Sequence, residues 1–298
     1  MKICFIGACG HSRQAWKYLT TRQDVELVGY APGSSHETVV PKFAQELPQF
    51  ADYIAMLEQT KPDYAVVSPV FGLTAAVIRD CAKRGIHVFS EKPVATTLED
   101  LAAVEQAVQE SGIRFCAMHY LRYDPAFYLG AKLVDKIGQV KLVTAQKSYK
   151  YGKRPAWYAD PALYGGTIPW VGIHAIDWIY HFTGKRFLSV TTQTLGEMAA
   201  LCQFTLEDGT IAAMNLDYYR PAGAATHGDD RIRLAGTEGV LEVSGGQVTL
   251  ITAEGTQTWQ PQEAPELLEE FLAGGGIPAE EIFYLTRVAI IAREGGKL

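Results

Sequence analysis

The stretch Gly85-Ile86-His87-Val88-Phe89-Ser90-Glu91-Lys92-Pro93 reads as a turn, an apolar strand and a charged pair stopped by proline. Proline has no N–H and cannot extend a ladder, so the strand is expected to end at Lys92. That places a lysine at the carboxyl end of a strand, the rim at which open α/β sheets take their ligands. Taken alone, the same Lys-Pro pair is a surface lysine in a strand-to-helix loop, the common fate of a charged residue. The segments on either side decide between the two.

Upstream, Ile3 to Ile6 is a short apolar strand that runs into Gly7-Ala8-Cys9-Gly10-His11-Ser12, then into a helical stretch with Ala15, Trp16 and Leu19 on one face. Strand, glycine turn and helix together form a phosphate cradle. Glycine lets the backbone approach a pyrophosphate, and the free N–H groups of a helix start attract the anion. The dinucleotide fingerprint G-x-G-x-x-G is incomplete: Gly7 holds the first place, Cys9 the second and Ser12 the third, with Gly10 between them. A plain tight turn uses the same glycines. Strands at Val25 to Tyr30, Tyr64 to Val67 and Ile113 to Met118 alternate with helices at Ala51 to Gln59, Thr74 to Arg84 and Leu98 to Glu110. This alternation predicts βαβ units and a doubly wound parallel sheet of the α/β class. The strands show little polar alternation, as expected when helices cover both sheet faces.

The end of the second strand bears on the cofactor. Sheets that bind NAD often hold its ribose there with an acid. The residues are Tyr30-Ala31-Pro32-Gly33-Ser34-Ser35-His36, with no acid, and Asp24 and Glu26 lie at the strand's start. An acid would repel a 2′-phosphate, so its absence admits NADP, to whose phosphate Ser34, Ser35 and His36 would donate. A polar loop without that role reads equally well. NAD and NADP both stay open, with a slight lean to NADP.

Beyond Arg122 the pattern changes. A helix is predicted from Phe127 to Lys136 and a long alternating strand from Gln139 to Tyr149. An aromatic, glycine-containing loop follows, with Tyr151, Trp157, Tyr158, Tyr164, Gly165, Gly166 and Trp170, and then a helix from Gly172 to Phe182. Strands then succeed one another: Leu188 to Leu195, Ala200 to Leu206, Thr210 to Leu216, Ile232 to Leu234, Gly239 to Val243 and Gln247 to Ile251. Helices from Glu263 to Leu272 and from Ala279 to Arg293 close the chain. Strands in succession predict an antiparallel sheet, so this half is α+β. The expected division is a nucleotide-binding domain over 1–119 and a substrate-binding and oligomerisation domain over 120–298. His174 and Asp177 are three residues apart on one helix face, with His181 a further turn along. A packed helical histidine looks the same in sequence; the neighbouring aromatics point to a pocket. There is no His-x-x-x-His pair, and no metal site is expected.

With 298 residues, 48% of them hydrophobic and 20% charged, the chain has the make-up of a soluble globular protein of two domains. A net charge of -6 argues against nucleic acid or an anionic membrane as partner. No apolar run is long enough to span a bilayer, and Met1 to Gly10 fits a first strand better than a signal peptide. Cys4, Cys9, Cys81, Cys116 and Cys202 are scattered, without a Cys-x-x-Cys pair, which suits a reducing cytoplasm.

These residues together resemble the glucose–fructose oxidoreductase, inositol dehydrogenase and rhizopine-catabolism (Gfo/Idh/MocA) family. The likeness runs through the glycine turn, Lys61-Pro62-Asp63-Tyr64-Ala65-Val66-Val67 and Glu91-Lys92-Pro93. It continues in Arg122-Tyr123-Asp124-Pro125, Gly165-Gly166, Gly172-Ile173-His174-Ala175-Ile176-Asp177 and Leu234-Ala235-Gly236-Thr237-Glu238-Gly239. The resemblance implies a Rossmann domain, a C-terminal domain with a large, mostly antiparallel open sheet, and association into dimers or tetramers through that sheet. It implies NAD(P)-dependent oxidation or reduction of a sugar, polyol or related alcohol. Lys92 and His174 would be catalytic. Gly7, Cys9, Gly10, His11, Ser12, Ser34, Ser68, Pro69, Glu91 and Arg122 would bind the cofactor, and Asp177, Trp170, Tyr151 and Trp157 the substrate. Two departures stand out. The family usually has Asp four residues before the histidine, where this chain has Trp170, and Asn and His after the third strand, where it has Val70 and Leu73.

The expected chemistry is hydride transfer, with His174 taking the hydroxyl proton as general base and Lys92 stabilising alkoxide character on the same oxygen. Trp170 cannot accept a proton; it would stack on a sugar face or fill space. Two further readings keep the cofactor. One is a glycosidase that oxidises its sugar transiently and returns the hydride, in which reduced cofactor would not accumulate. The other is a sensor or partner subunit that binds NAD(P) without turnover, motivated by the missing Asp.

Overall fold

A computed structural model describes residues 1–298. Two compact units divide it: one built from 1–118, 155–165 and 267–287, the other from 119–154, 166–266 and 288–298.

The first unit is a five-stranded parallel sheet with strand order β2-β1-β3-β4-β5. Its elements run β1 (Lys2–Ile6), α1 (Ser12–Leu19), β2 (Glu26–Ala31), α2 (Tyr53–Thr60), β3 (Tyr64–Val67), α3 (Thr74–Ala82), β4 (His87–Ser90), α4 (Leu98–Ser111) and β5 (Phe115–Ala117). β3 and β5 are buried along their whole length, as the sequence pattern required. Helix boundaries follow local chemistry. Asp52 caps α2 by accepting from the Ala55 N–H at 2.8 Å, and Thr97 caps α4 by accepting from the Asp100 N–H at 3.1 Å. Chain order reverses between β1 and β3, and the crevice outside the carboxyl ends at such a point is where open sheets bind ligands.

β4 ends at Ser90, two residues before the expected Lys92. Its neighbour β3 stops at Val67, and the Glu91 N–H makes one last bond to the Val67 carbonyl at 2.7 Å. The ladder runs out of partner before proline can end it.

The second unit carries α5 (Pro125–Leu133), β6 (Val140–Tyr149) and, after the short α6 (Pro161–Tyr164) of the first unit, α7 (Ile173–Thr183). It continues with β7 (Phe187–Leu195), β8 (Ala199–Leu206), β9 (Ile211–Asp217), β10 (Gly228–Gly236), β11 (Gly239–Ser244), β12 (Gln247–Thr252) and β13 (Gly255–Trp259). The eight strands form one open sheet, β13-β12-β11-β10-β6-β9-β8-β7, antiparallel except where β6 runs parallel to β9. α8 (Leu267–Ala273) and α9 (Ala279–Glu294) close the chain. No helix is long and apolar enough to cross a membrane.

Two elements differ from the sequence pattern. The helix expected from Phe127 to Lys136 is α5, capped by Asp124 with Pro125 in its first turn; it tightens to a 3₁₀ turn over Val134–Ile137. Gly138, at φ 68°, ends that turn where a Cβ would lie 2.4 Å from the Thr237 hydroxyl. β13 has no counterpart among the expected strands. It is an edge strand, Gly-Thr-Gln-Thr-Trp, exposed over most of its length, and with no buried face it carries no apolar alternation.

Candidate active site

In the first unit the glycine turn is tied to three strand ends. The Gly7 N–H donates to the Ala31 carbonyl at the end of β2 at 2.9 Å, and the Cys9 N–H to the Ser68 carbonyl after β3 at 2.7 Å. The Ser68 hydroxyl returns a bond to the Cys9 carbonyl. His11 turns both its N–H and its Nδ1, the latter at 3.0 Å, onto the Glu91 carboxylate after β4. Gly7 sits at φ 72°, and a Cβ there would lie 2.5 Å from the Ser68 carbonyl oxygen and 2.6 Å from Pro69, so only glycine fits. The turn therefore folds tightly without the second fingerprint glycine. Burial pushes the Cys9 thiol up, with Glu37 and Glu91 adding to the effect, so Cys9 is a small neutral group there.

The turn fits a pyrophosphate. The Ser12 hydroxyl, at the first position of α1, is buried without a protein partner, as a group does that is reserved for a ligand at a helix start. Lys92 is buried, 2% exposed, and its N–H reaches Glu91 Oε1 at 3.1 Å. Burial pushes the Glu91 carboxyl up, but the charge and hydrogen bonds of His11, with Lys92, outweigh it and hold the group below its usual range. Ser34, expected at a cofactor phosphate, donates its hydroxyl to Glu37 Oε1 at 3.4 Å. Trp157 packs edge-on against Phe71 at 5.0 Å and stacks on Tyr158 at 4.1 Å, an aromatic cluster of the first unit.

In the second unit α7 presents His174 and Asp177, both buried. Asp177 Oδ1 accepts from Arg122 Nε at 2.8 Å and lies 2.7 Å from the second guanidinium nitrogen. It also lies 3.4 Å from His119 Nδ1, and the His119 ring meets the His174 ring edge-on at 6.2 Å. Burial pushes the Asp177 carboxyl up; the Arg122 guanidinium and His119 more than reverse this and hold it well below the usual carboxylate range. Arg122 and Asp177, one expected on the cofactor and one on the substrate, are thus brought together as a buried ion pair. Trp170 is buried in a wide helical turn, Ile168–Gly172, that leads into α7. Tyr151 is 48% exposed, with its ring edge on Tyr218 at 5.6 Å and the Arg154 guanidinium over it.

Three polar residues of note were not singled out from sequence. His119 lies two residues past the end of β5, and its signal was an imidazole three residues before the arginine of Arg-Tyr-Asp-Pro. Glu37 lies one residue beyond the polar loop read as acid-free. Lys147 sits at an inward position of β6, its Nζ 2.7 Å from Asp230 and 2.7 Å from the Tyr149 hydroxyl; only an apolar-polar alternation broken by a lysine marked it.

Two family descriptions match the chain. Residues 1–119 match the oxidoreductase family with an NAD-binding Rossmann fold, and residues 132–242 the GFO/IDH/MocA C-terminal domain. D-xylose 1-dehydrogenase (NADP(+)) 2 of Haloferax volcanii is 30% identical over 149 residues, 49% of this chain and 46% of that protein. scyllo-Inositol 2-dehydrogenase (NADP(+)) of Bacillus subtilis is 28% identical over 141 residues, 45% of this chain and 39% of that protein. The chain thus spans about half the length of these curated relatives or less. A solved structure of an oxidoreductase from Thermotoga maritima is similar over nearly the whole chain, with 38% identity and a TM-score of 0.93, covering 99% of this chain and 98% of that one.

Proposed function

Because this chain belongs to the Gfo/Idh/MocA oxidoreductase family, we propose that it is an NAD(P)-dependent dehydrogenase or reductase acting on a hydroxyl or carbonyl carbon of a sugar, polyol or similar compound. One observation carries the reading: a lysine buried two residues past the end of β4, adjoining the Glu91 carboxylate that grips the glycine turn. A cation on a rigid strand end, next to a phosphate cradle, is suited to a substrate oxygen that gains negative character. The names of the xylose and inositol relatives support the substrate class.

The cofactor, when bound, supplies the hydride acceptor or donor. Gly7, Cys9, Gly10, His11 and Ser12 would hold its pyrophosphate, with Ser68 and Pro69 shaping the turn from below. The Lys92 ammonium hydrogen-bonds the substrate oxygen and steadies its alkoxide character. His174 accepts the hydroxyl proton in oxidation and returns it in reduction. Arg122 and Asp177 act as positioning residues: each meets the other, and together with His119 they fix α7 behind His174. Trp170 and Tyr151 are assigned to substrate, whereas Trp157, packed in its aromatic cluster, shapes the loop that carries it. We assign the protein to the cytoplasm, in keeping with its scattered free cysteines, and the partner to a second copy of the chain, met through the open sheet.

Replacing Lys92 by Met tests the assignment. A panel of aldoses and polyols is expected to give cofactor-dependent turnover with the native chain. Turnover should fall by about 10²-fold or more in the variant, with cofactor affinity close to native. Full turnover in Lys92→Met removes the lysine from the chemistry.

A further inference from the structure

We propose that Glu37 is the residue that selects the cofactor, taking the hydroxyl pair of the adenosine ribose and so favouring NAD over NADP. This rests on the cofactor reading above and goes beyond it. The relatives do not decide the matter, since both NADP- and NAD-dependent dehydrogenases are among them.

β2 ends at Ala31 and is followed by Pro32-Gly33-Ser34-Ser35-His36, so the strand end itself offers no carboxylate. The chain then turns back, with the Glu37 N–H bonded to the Ser34 carbonyl at 3.2 Å. This fold brings the Glu37 side chain over the rim. Its Oε1 accepts from the Val70 N–H at 3.2 Å, beyond the end of β3, and from the Ser34 hydroxyl at 3.4 Å. Gly33 lies under it: a Cβ on Gly33 would meet Pro69 at 2.3 Å and Glu37 Oε1 at 3.1 Å. The carboxylate therefore sits among the loops that leave β2 and β3, beside the glycine turn after β1.

That location is the crevice where the strand order reverses. With a pyrophosphate on Gly7 to Ser12, the adenosine ribose of a dinucleotide comes next to the end of β2. The charge of Glu37 is felt there, for it acts on Cys9 within the turn and on Tyr30 near the end of β2. Burial pushes the Glu37 carboxyl up, and the N–H groups of Val70, Gly33 and Ala8 and the Ser34 hydroxyl offset part of this. Oε2 is buried and makes no well-formed hydrogen bond. A buried carboxylate oxygen short of donors calls for one. Two vicinal ribose hydroxyls supply donors; a 2′-phosphate brings like charge and acceptors only. The same carboxylate thus welcomes one nucleotide and rejects the other. Glu37 also engages the Ser34 hydroxyl, a group that the sequence alone offered to a 2′-phosphate.

Binding decides the matter without any turnover. Dissociation constants for NAD, NADH, NADP and NADPH are measured by calorimetry on the full chain and on Glu37→Gln and Glu37→Ala, with thermal unfolding to verify that each variant is folded. The native chain is expected to prefer NAD and NADH by tenfold or more. Both variants should lose most of that preference, through weaker NAD binding and stronger NADP binding. A native preference for NADP, or a ratio unchanged in both folded variants, overturns the role of Glu37 and leaves the dehydrogenase reading standing. Failure of the native chain to bind any of the four nucleotides overturns both.

Discussion

The Glu91 carboxylate accepts from both the backbone N–H and the Nδ1 of His11, so one side chain at the end of β4 fixes the glycine turn that follows β1. The next residue is Lys92, and its N–H closes on the same carboxylate. A single buried charge therefore sets both the shape of the phosphate cradle and the place of the lysine.

Glu91→Gln keeps the volume and removes the charge. Hydrogen bonds to a charged group are worth about 1.5–3 kcal/mol, so cofactor affinity is expected to fall by roughly one to two orders of magnitude. Titration calorimetry checks this. The folded carboxyl lies below its usual range, so its contribution is whole above the ordinary carboxylate pKa and is lost as pH falls through the folded value. The native chain should lose stability in that acid window, and the variant should lose less.

Asp177→Asn removes the carboxylate opposite a guanidinium whose side chain is 7% exposed. Breaking a buried pair from one side costs about 3 kcal/mol or more, and chemical denaturation should show a loss of that size at neutral pH. The sign with pH follows from the depressed carboxyl. Its stabilisation is complete above about pH 4, the ordinary range for Asp, and fades as pH falls further. The gap between native chain and variant should narrow on acidification. A gap that stays constant down to pH 2 would mean that Arg122 does not rely on this charge.

Lys147 is buried without exposure, and burial lowers its pKa from 10.5 to about 8, against the opposing pull of Asp230. Between those two values the folded chain has released the proton and the unfolded chain still holds it. Stability should therefore rise with pH across that window, by about 3 kcal/mol in total. Lys147→Met should abolish this rise. Urea denaturation of both proteins at intervals from pH 7 to pH 10.5 isolates it as the difference between the two curves.

The architecture was legible because it depends on periodicity and punctuation. Ile3 to Ile6, Tyr64 to Val67 and His87 to Ser90 state a strand in a few residues each, and alternation with helices fixes a parallel sheet, whereas the stop after Ser90 is set by the end of β3 and not by Pro93. The glycine turn was legible through Gly7, whose conformation no other residue adopts without strain. Pairings over long chain separations were not. Asp177 reads as a free polar residue on a helix face until Arg122, 55 residues earlier, is folded against it. His11 and Glu91 are 80 residues apart. Glu37 reads as a loop acid until the chain turns back at Ser34. A side chain's partner is set by tertiary packing, and a local pattern does not carry it.

The face of the eight-stranded sheet opposite its buried side exposes several apolar side chains. Leu142 on β6 and Ile211 on β9 are side by side in register, 42% and 58% exposed, and Leu201 on β8 is 56% exposed. Leu195 on β7, paired with Ala199 of β8 on the same side as Leu201, is 63% exposed. Apolar residues scattered singly on a surface need no explanation, whereas several across neighbouring strands of one sheet mark a surface meant to be covered. The two sides of each strand differ: in β8, Ala200, Cys202, Phe204 and Leu206 are buried beneath, so Leu201 cannot turn inward without slipping the register. The second copy proposed as the partner would cover this face. Sedimentation of the native chain at micromolar concentration should give a dimer or larger. The double variant Leu201→Lys, Ile211→Lys should sediment as a monomer, with unfolding otherwise close to native, since both positions are already exposed. A native chain that sediments as a monomer ends this assignment.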